Sequence, residues 1–341
     1  MPDQRPLSGW VLRRDVLVTL LAMGTLSFPA LSETPIKVAR VGYLTLAGRT
    51  GVIAEDILPG FREGLQEKGY TEGRTLVLEQ RYAEGDEERL PVFVSELLGL
   101  RLDALFTVGT QVARAVQHAT STLPVVAITG DPVGAGLVRS ITRPGGNITG
   151  VALQNPESSA KWLELLKEAV PNLQRVAVLW NPNNPTVALE IEAMRKAAPA
   201  LALELAIFSG ERSKLEASLA AIATAALDGL VITDDASFDS IAPRLASLAI
   251  QSHLPNICGL GGQFVQQGGL MAYSANWFEA GRRAAYQVAR ILNGAHPADL
   301  PIDQTTGFTI AINLKTTKQL VPLHRNYDSL SLRRRISAWQ G

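Results

Sequence analysis

The chain passes twice through the same order of apolar and helical segments, and this repeat constrains its fold more than any other feature. The segment LDALFTVG (Leu102–Gly109) corresponds to LDGLVITDDA (Leu227–Ala236), and LPVVAIT (Leu123–Thr129) corresponds to LPNICGL (Leu254–Leu260). Corresponding points lie roughly 125 to 135 residues apart, which is the length of a small domain and too long for a solenoid unit. Runs rich in Val, Ile and Leu that alternate with helices indicate parallel sheets covered on both faces. We therefore predict an α/β protein of two doubly wound, Rossmann-like lobes.

The order of segments also predicts how the chain divides between the lobes. A Pro-Gly-Gly turn within residues 142–158 interrupts the pattern and is interpreted as the link to the second lobe. A later strand and long amphipathic helix have no counterpart early in the first half, so we expect them to return to it. We assign residues 36–148 and about 274–300 to lobe 1, 149–273 and about 301–320 to lobe 2, and 321–341 to a tail. Several crossings between two lobes make a hinge with a cleft.

The first 32 residues have the pattern of a secretory signal. Arg5, Arg13 and Arg14 form a basic region, an apolar run follows over Val16–Phe28, and Ala30–Ser32 supplies small residues for cleavage near Ser32. The apolar run is short for a bilayer span. The sequence therefore predicts export to the periplasm, with the general and twin-arginine routes both open. An uncleaved amphiphilic N-terminus is the alternative.

Charge and cysteine content exclude several classes of function. The 32 basic residues balance 32 acidic ones, so the chain has no electrostatic footprint for nucleic acid. Cys258 is the only cysteine, which rules out an internal disulfide, and it lies too far from the signal to form a lipobox. The four histidines form no metal-binding motif. We expect no cofactor and no metal.

The glycine-rich stretch that begins at Gly130, GDPVGAGLVRSITRPGGNITG, resembles a phosphate-binding loop but lacks its pattern. Gly134 and Gly136 begin a dinucleotide fingerprint, yet Arg139 stands where the third glycine belongs. No G-x-x-x-x-G-K-[ST] sequence is present either. We interpret the two glycines as backbone freedom for a tight turn into a short helix.

The sequence also carries little sign of catalysis. It contains no G-x-S-x-G elbow, and Asp234–Asp235 is the one carboxylate pair at a predicted strand end. Adjacent residues on an extended segment point to opposite faces, so only one of the two would face a cleft. A hydrolase that uses this pair is kept as an alternative.

Polar residues at the carboxyl ends of the predicted strands form the candidate ligand site, because ligands of open α/β sheets bind there. The candidates are Tyr43, Leu44, Thr110, Gln111, Asp131, Asn181, Asp234, Asp235 and Asn276.

Their chemistry favours a small zwitterion as the ligand. Thr110 and Gln111 open a helix, whose free N–H groups suit a carboxylate. Asp131, Asp234 or Asp235 suits an ammonium group. Asp131, which precedes a proline, and Asp235 are equally suited to capping turns or helices. Tyr43 and Trp180 are candidate apolar walls, with Trp180 equally suited to the core.

Several motifs together resemble the ABC-transporter substrate-binding family. They include PVVAITGDPVGAGLV, RPGGNITGV, KWLELLKEAVPNLQRVAVLWNPNNP and AINLKTTKQL, and the similarity runs from about Val38 to Leu320. The resemblance implies the periplasmic binding protein type I fold, which closes like a Venus flytrap on a small solute and delivers it to a membrane permease. Some members are described as tryptophan/tyrosine or branched-chain amino-acid receptors. The family catalyses no reaction.

Two positions depart from the family pattern. Ser274 stands where glycine is frequent, which leaves the ligand open, and the sequence after AINLKTTKQL differs. Arg333–Arg335 in that tail suits a membrane or partner contact, or a solvated surface. We therefore expect a periplasmic receptor of an ABC importer for an aromatic or aliphatic amino acid. The two alternatives to this receptor are a ligand-sensing domain for a signalling partner and the hydrolase that uses Asp234 and Asp235.

Overall fold

The computed structural model describes residues 38–153, 155–305 and 307–320. The predicted signal segment and the tail from residue 321 lie outside these ranges. Within them, no helix combines the length and the apolar character needed to span a bilayer.

Twelve strands and ten α-helices alternate along the described chain. The strands are β1 (Ala39–Thr45), β2 (Leu76–Tyr82), β3 (Ala104–Val108), β4 (Val125–Thr129), β5 (Ile148–Ala152), β6 (Arg175–Trp180), β7 (Glu204–Ser209), β8 (Gly229–Ile232), β9 (Asn256–Cys258), β10 (Met271–Ala275), β11 (Asp303–Gln304) and β12 (Phe308–Ile312). The helices are α1 (Val52–Glu67), α2 (Leu90–Leu98), α3 (Thr110–Ala119), α4 (Asn155–Ala169), α5 (Pro185–Ala197), α6 (Leu215–Thr224), α7 (Ala242–Gln251), α8 (Gly262–Gln266), α9 (Trp277–Leu292) and α10 (Leu314–Leu320).

The strands form two six-stranded sheets, one in each lobe. The first sheet has the order β11-β5-β4-β3-β1-β2 and is parallel throughout. The second has the order β12-β10-β9-β8-β6-β7, and only its edge strand β12 is antiparallel to its neighbour. The predicted fold class, two doubly wound α/β lobes, is confirmed.

Burial on both faces explains why these runs form strands. All five residues of β3 and all five of β4 are buried, as expected for strands with helices on each side. Each buried Val, Leu or Ile side chain contributes about 1.5–3 kcal/mol to folding. The central strands therefore form the cores of the two lobes.

The strand after the Pro-Gly-Gly turn lies in the first lobe, whereas the sequence analysis assigned it to the second. In β5, Ile148 pairs with Val125 of β4 and Ala152 pairs with Thr129. Gly150 permits this close approach, because a Cβ there would lie 1.9 Å from the Ala127 carbonyl oxygen. The Pro-Gly-Gly turn thus joins neighbouring strands of one sheet and does not link the lobes.

Three smaller features also differ from the expectations. The strand β10 was expected to return to the first lobe together with α9, but it pairs with β9 and β12 of the second sheet. The strand β11 was expected in the second lobe, but it pairs with Val151 and Ala152 of β5. The tight turn expected at Gly134 and Gly136 is found over residues 132–136, with Gly136 at a φ of 72°, but no helix follows it over residues 137–147.

Within the residues that the structure describes, the chain crosses between the sheets at three points. It passes from β5 to α4, from β10 to α9 and from β11 to β12, since α4 packs against α5, β8 and β9 while α9 packs against α1, β3, β4 and β5. Several chain crossings between two lobes form a hinge. All three lie at the edge where the two lobes meet.

Helix α9 is joined to α1 by unusually close backbone contacts. Cβ atoms added at Gly60 or Gly281 would lie 2.1 Å from the Phe278 carbonyl oxygen and 2.3 Å from that of Ile57. A Cβ at Gly64 would lie 2.8 Å from the Arg282 carbonyl oxygen. The two helices can therefore approach only because these positions lack side chains.

We expect Gly281→Ala to destabilise the protein by about 1–3 kcal/mol, which is typical of overpacking. Alanine favours a helix interior by up to about 1 kcal/mol over glycine, but the clash with the Ile57 carbonyl outweighs this gain. Urea unfolding measures the difference. Gly262→Ala is the matched control, since its added Cβ would come no closer than 3.8 Å to any neighbour. Equal stability of both variants would contradict the packing argument.

Candidate functional site

A narrow cavity lies between the lobes at the carboxyl ends of the central strands. The first lobe lines it with the ends of β3 and β4, Leu153 after β5, and Trp277 at the start of α9. The second lobe contributes Asn184, Thr186, Asp234 and Ala236. The volume open to the centres of water molecules is about 30 Å³, which is enough for about two waters. This position matches the rule for ligand sites in open α/β sheets.

The N-terminus of α3 points its first turn at the cavity. Gly109 precedes the helix at a φ of 107°, a conformation that favours glycine, and the first intrahelical hydrogen bond runs from Ala113 N–H to Gly109 O. The N–H groups of residues 110–112 thus make no hydrogen bond within the helix, and they create a partial positive charge at its start. The predicted helix start at Thr110 is therefore found at the cavity.

The side chains of Thr110 and Gln111, however, bridge the lobes. Thr110 Oγ1 lies 3.0 Å from Thr186 Oγ1, and Gln111 Nε2 donates to Asp235 Oδ2 at 2.8 Å. Gln111 does not line the cavity. Both side chains are thus engaged in contacts between the lobes.

Two buried hydrogen-bond donors in the cavity wall lack a partner among the described residues. They are the Thr129 hydroxyl and the Trp277 indole N–H, with residues 2% and 5% exposed. A buried polar group without a partner costs about 1–3 kcal/mol, and an acceptor that reached it would recover that energy. The sequence analysis missed both residues, although they adjoin Gly130 and Asn276, which it considered.

The adjacent carboxylates Asp234 and Asp235 have different surroundings. Asp234 is 8% exposed and faces the cavity from the second lobe, where it also interacts with protein groups. Asp235 is 1% exposed and does not line the cavity. The alternation expected of an extended segment thus puts one carboxylate toward the cavity and the other away from it.

Asp235 is surrounded by hydrogen-bond donors from both lobes. Its Oδ2 accepts from Gln111 Nε2 at 2.8 Å and from Asn184 Nδ2 at 2.9 Å. Its Oδ1 accepts from Ser237 N–H at 2.9 Å, from the Ser237 hydroxyl, and from Asn181 Nδ2 at 3.3 Å. Both oxygens are therefore used within the protein.

Asp131 and Asn276, two of the predicted contacts, cap local structure instead of lining the cavity. Asp131 Oδ1 accepts the N–H groups of Val133 and Gly134 at 3.0 and 2.8 Å. Asn276 is exposed, and its Oδ1 accepts from Glu279 N–H at 3.0 Å to cap α9. The turn-capping alternative noted for Asp131 agrees with this geometry.

The two candidate wall residues, Tyr43 and Trp180, and the candidate contact Leu44 lie in the cores of the lobes. Tyr43 and Leu44 are fully buried, and the Tyr43 ring centroid is 5.6 Å from that of Tyr82 and 5.4 Å from that of Phe106. Burial, with a smaller effect of Tyr82, raises the pKa of Tyr43 far above its usual value. Trp180 packs against the second lobe's core. None of the three lines the cavity.

Asn181 lies in a separate, larger groove between the lobes, of about 740 Å³. Its Nδ2 donates to Glu87 Oε1 at 2.9 Å, and Arg212 pairs with Asp86 at 2.8 Å across the same groove. Partial burial raises the pKa of Glu87; the hydrogen bond from Asn181 opposes this rise and the charge of Asp235 adds to it. Most residues that line the groove are charged or polar, and the two contacts named here join the lobes.

The described residues contain no group of three or more His, Cys, Asp or Glu side chains arranged to hold a metal ion. The arrangement instead combines donors on one lobe with a carboxylate on the other. Such a pair of walls can hold a small molecule that carries both an acceptor and a cation.

Comparisons with known proteins agree with this architecture. A family model described as ABC transporter substrate binding protein matches residues 53–325. A protein of Clostridioides difficile (strain R20291) named "Tyrosine-binding protein" is 26% identical over 264 residues, covering 76% of this chain and 75% of that protein.

Two solved structures are similar over 89% of the chain. A conserved domain protein from Vibrio cholerae has 25% identity and a TM-score of 0.81, with all of that chain covered. An ABC domain in complex with L-Trp, from Streptococcus pneumonia, has 23% identity and a TM-score of 0.79, with 99% of that chain covered. Both share the two-lobed fold.

We expect Glu87→Gln to be more stable than the wild-type protein at pH 7. The raised pKa means that the folded protein binds this proton more tightly than the unfolded chain does. That contribution is present below the usual value of 4.5 and is lost as the pH rises through the folded-state pKa. Urea unfolding at pH 4 and pH 7 should show the advantage of glutamine at pH 7 and its decline at pH 4.

The exposed neighbour Glu88 gives the matched control, Glu88→Gln. This change should leave the pH dependence of unfolding close to that of the wild-type protein. An equal advantage of Glu87→Gln at both pH values would show that the side chain's charge is not the cause.

Proposed function

The chain belongs to the family of ABC transporter substrate-binding proteins, and on this premise we propose that it is the periplasmic receptor of an amino-acid importer. Proteins of this family bind small molecules and work with membrane permeases. The proposal adds that the ligand is a zwitterion and that the partner is the permease of an importer. It also includes export by the N-terminal signal and cleavage near Ser32.

One observation carries the choice of ligand: the two walls of the cavity have complementary polar groups. The first lobe offers the free N–H groups of α3, the Thr129 hydroxyl and the Trp277 indole N–H, all donors suited to a carboxylate. The second lobe offers the Asp234 carboxylate, an acceptor suited to an ammonium group. An α-amino acid carries both groups on one carbon.

The rest of the cavity wall favours an apolar or aromatic side chain. Val108, Ile128, Leu153 and Ala236 line it together with the Trp277 ring. A relative is named as tyrosine-binding, and a solved neighbour holds L-Trp. Tyrosine and tryptophan are therefore the first ligands to test, followed by the branched-chain amino acids.

The small volume of the cavity indicates how such a ligand enters. Space for about two waters is too little for a free amino acid, so the ligand enters while the lobes are apart. The lobes then close around it by rotation at the three crossings, and the cavity that holds the ligand is wider than the one in this structure.

The role of Asp234 can be tested by substitution. We expect Asp234→Asn to weaken binding of L-tyrosine or L-tryptophan about tenfold to hundredfold, the usual worth of a hydrogen bond to a charged group. Asp131→Asn is the matched control and should keep the wild-type affinity, because Asp131 caps its own turn and does not line the cavity. Isothermal titration calorimetry measures both; full affinity in Asp234→Asn would remove this residue from the site.

The class of ligand is tested by thermal shift with amino acids, peptides, purines and sugars. A ligand at a hundredfold excess over its Kd adds about 2.7 kcal/mol of stability. Tyramine lacks the carboxylate of tyrosine and should bind far more weakly. A shift by a sugar or purine, with none by any amino acid, would overturn the proposed ligand.

The two alternative functions, a hydrolase and a sensing domain, can be tested with the same purified protein. A hydrolase that uses the Asp234–Asp235 pair would turn over a bound ligand, whereas the family is one of solute-binding proteins. Mass spectrometry of the ligand after incubation detects turnover. A sensing domain would bind its ligand equally well but would recruit a signalling protein in place of a permease.

A further inference from the structure

A short segment of the second lobe reaches into the first lobe beside the cavity. This segment, which we name the clasp, comprises Asp235 and the 3-10 helix Ala236–Ile241. It follows β8 and leads into α7, so it belongs to the second lobe by chain order. Its first residues adjoin Asp234, and Ala236 itself lines the cavity.

Two carboxylates of the clasp accept hydrogen bonds from the first lobe. Asp235 accepts from Gln111 Nε2 at 2.8 Å, and Asp239 accepts from Gly48 N–H at 3.2 Å. Asp239 is 1% exposed and lies close to the start of α1. The clasp thus places two buried negative charges against donors of the opposite lobe.

Glycines of the first lobe form the seat of the clasp. A Cβ at Gly51 would lie 1.4 Å from Asp239 Oδ2, and one at Gly85 would lie 3.0 Å from the Ser237 carbonyl oxygen. Cβ atoms at Gly48 and Gly109 would lie 3.5 and 3.9 Å from side chains of the clasp. The distances at Gly51 and Gly85 leave no room for a side chain, whereas those at Gly48 and Gly109 are ordinary contacts.

The second lobe holds Asp235 in place for this contact. Asn184 Nδ2 donates to Asp235 while Asn184 Oδ1 accepts from Thr186 N–H at 3.1 Å and caps α5. Asn181 and Ser237 donate to the other oxygen of Asp235. The carboxylate is thus oriented before the lobes meet, and only its bond to Gln111 depends on closure.

We propose that Asp235 and Asp239 are positioning residues that hold the lobes shut and thereby set the rate at which the ligand leaves. They act on the ligand only through the closed form, because neither side chain lines the cavity. The proposal deepens the function proposed above and relies on ligand binding in that cavity. Its effect on closure itself does not depend on the identity of the ligand.

Gly51→Ala gives a sharp test. The backbone at Gly51 has φ −85° and ψ 169°, which alanine adopts without strain, so the open form should tolerate the change. In the closed form the methyl group would overlap the Asp239 carboxylate. Gly146→Ala, in the same lobe, is the matched control because nothing lies within 4 Å of its added Cβ.

Small-angle X-ray scattering of the full-length protein without ligand reads closure directly. The wild-type and Gly146→Ala proteins should be compact, whereas Gly51→Ala and Asp235→Asn should have a larger radius of gyration with unchanged far-UV circular dichroism. Identical scattering of all four would overturn the proposal. This measurement stays decisive if no amino acid binds, in which case the proposed ligand fails and the clasp is judged separately.

Stopped-flow fluorescence with L-tryptophan and L-tyrosine then reads the kinetics. Gly51→Ala and Asp235→Asn should raise the dissociation rate about tenfold to hundredfold and change the association rate less than about threefold. If Gln111 and Asp235 act through one bond, Gln111→Met combined with Asp235→Asn should dissociate no faster than Asp235→Asn alone. Additive effects, or a loss confined to association, would overturn the proposal.

Discussion

The burial of one carboxylate, that of Asp235, governs how the two lobes meet. A charge removed from water costs several kcal/mol unless donors surround it, and breaking such an arrangement leaves the charge uncompensated. Asn181, Asn184 and Ser237 satisfy part of this requirement from the second lobe, and Gln111 completes it from the first. The same carboxylate therefore accepts hydrogen bonds from the start of α3 in one lobe and from the N-cap of α5 in the other.

The parallel sheets explain why the hinge, the cavity and the clasp all lie together. In parallel strands every carboxyl end reaches the same edge, so loops and helix N-termini gather there. Two such edges face each other in this chain, and the three crossings run between them. Donor groups of one lobe thus oppose the carboxylates of the other without any long loop to carry them.

The fold class was predictable because strand alternation and the internal repeat are local patterns of the sequence. The membership of β5 was not, since it depends on the close approach of Gly150 to Ala127 in a neighbouring strand. Alternation also predicted that one of Asp234 and Asp235 would face the cleft. Which one does so depends on where folding brings Gln111 and Asn184, and no spacing in the sequence records that.

The remaining site residues show the same division between local and distant information. The turn before Pro132 was visible in the sequence, and so was the capping role of Asp131. Thr129 and Trp277 were missed because the sequence gives no sign that a hydroxyl or an indole will lack a hydrogen-bond partner in the fold. Only the packing around the cavity identifies them.

The glycine contacts between α1 and α9 have a mechanical consequence for the ligand. Helix α9 follows directly from β10 of the second sheet, yet its first residue, Trp277, moves with the first lobe because α9 is locked to α1. The chain thus crosses between the lobes at Asn276, and the next residue, Trp277, forms part of the cavity wall. A substitution that weakens the packing of α1 against α9 would let Trp277 change its position in the cavity wall. A packing defect far from the ligand would then be measured as a loss of ligand selectivity.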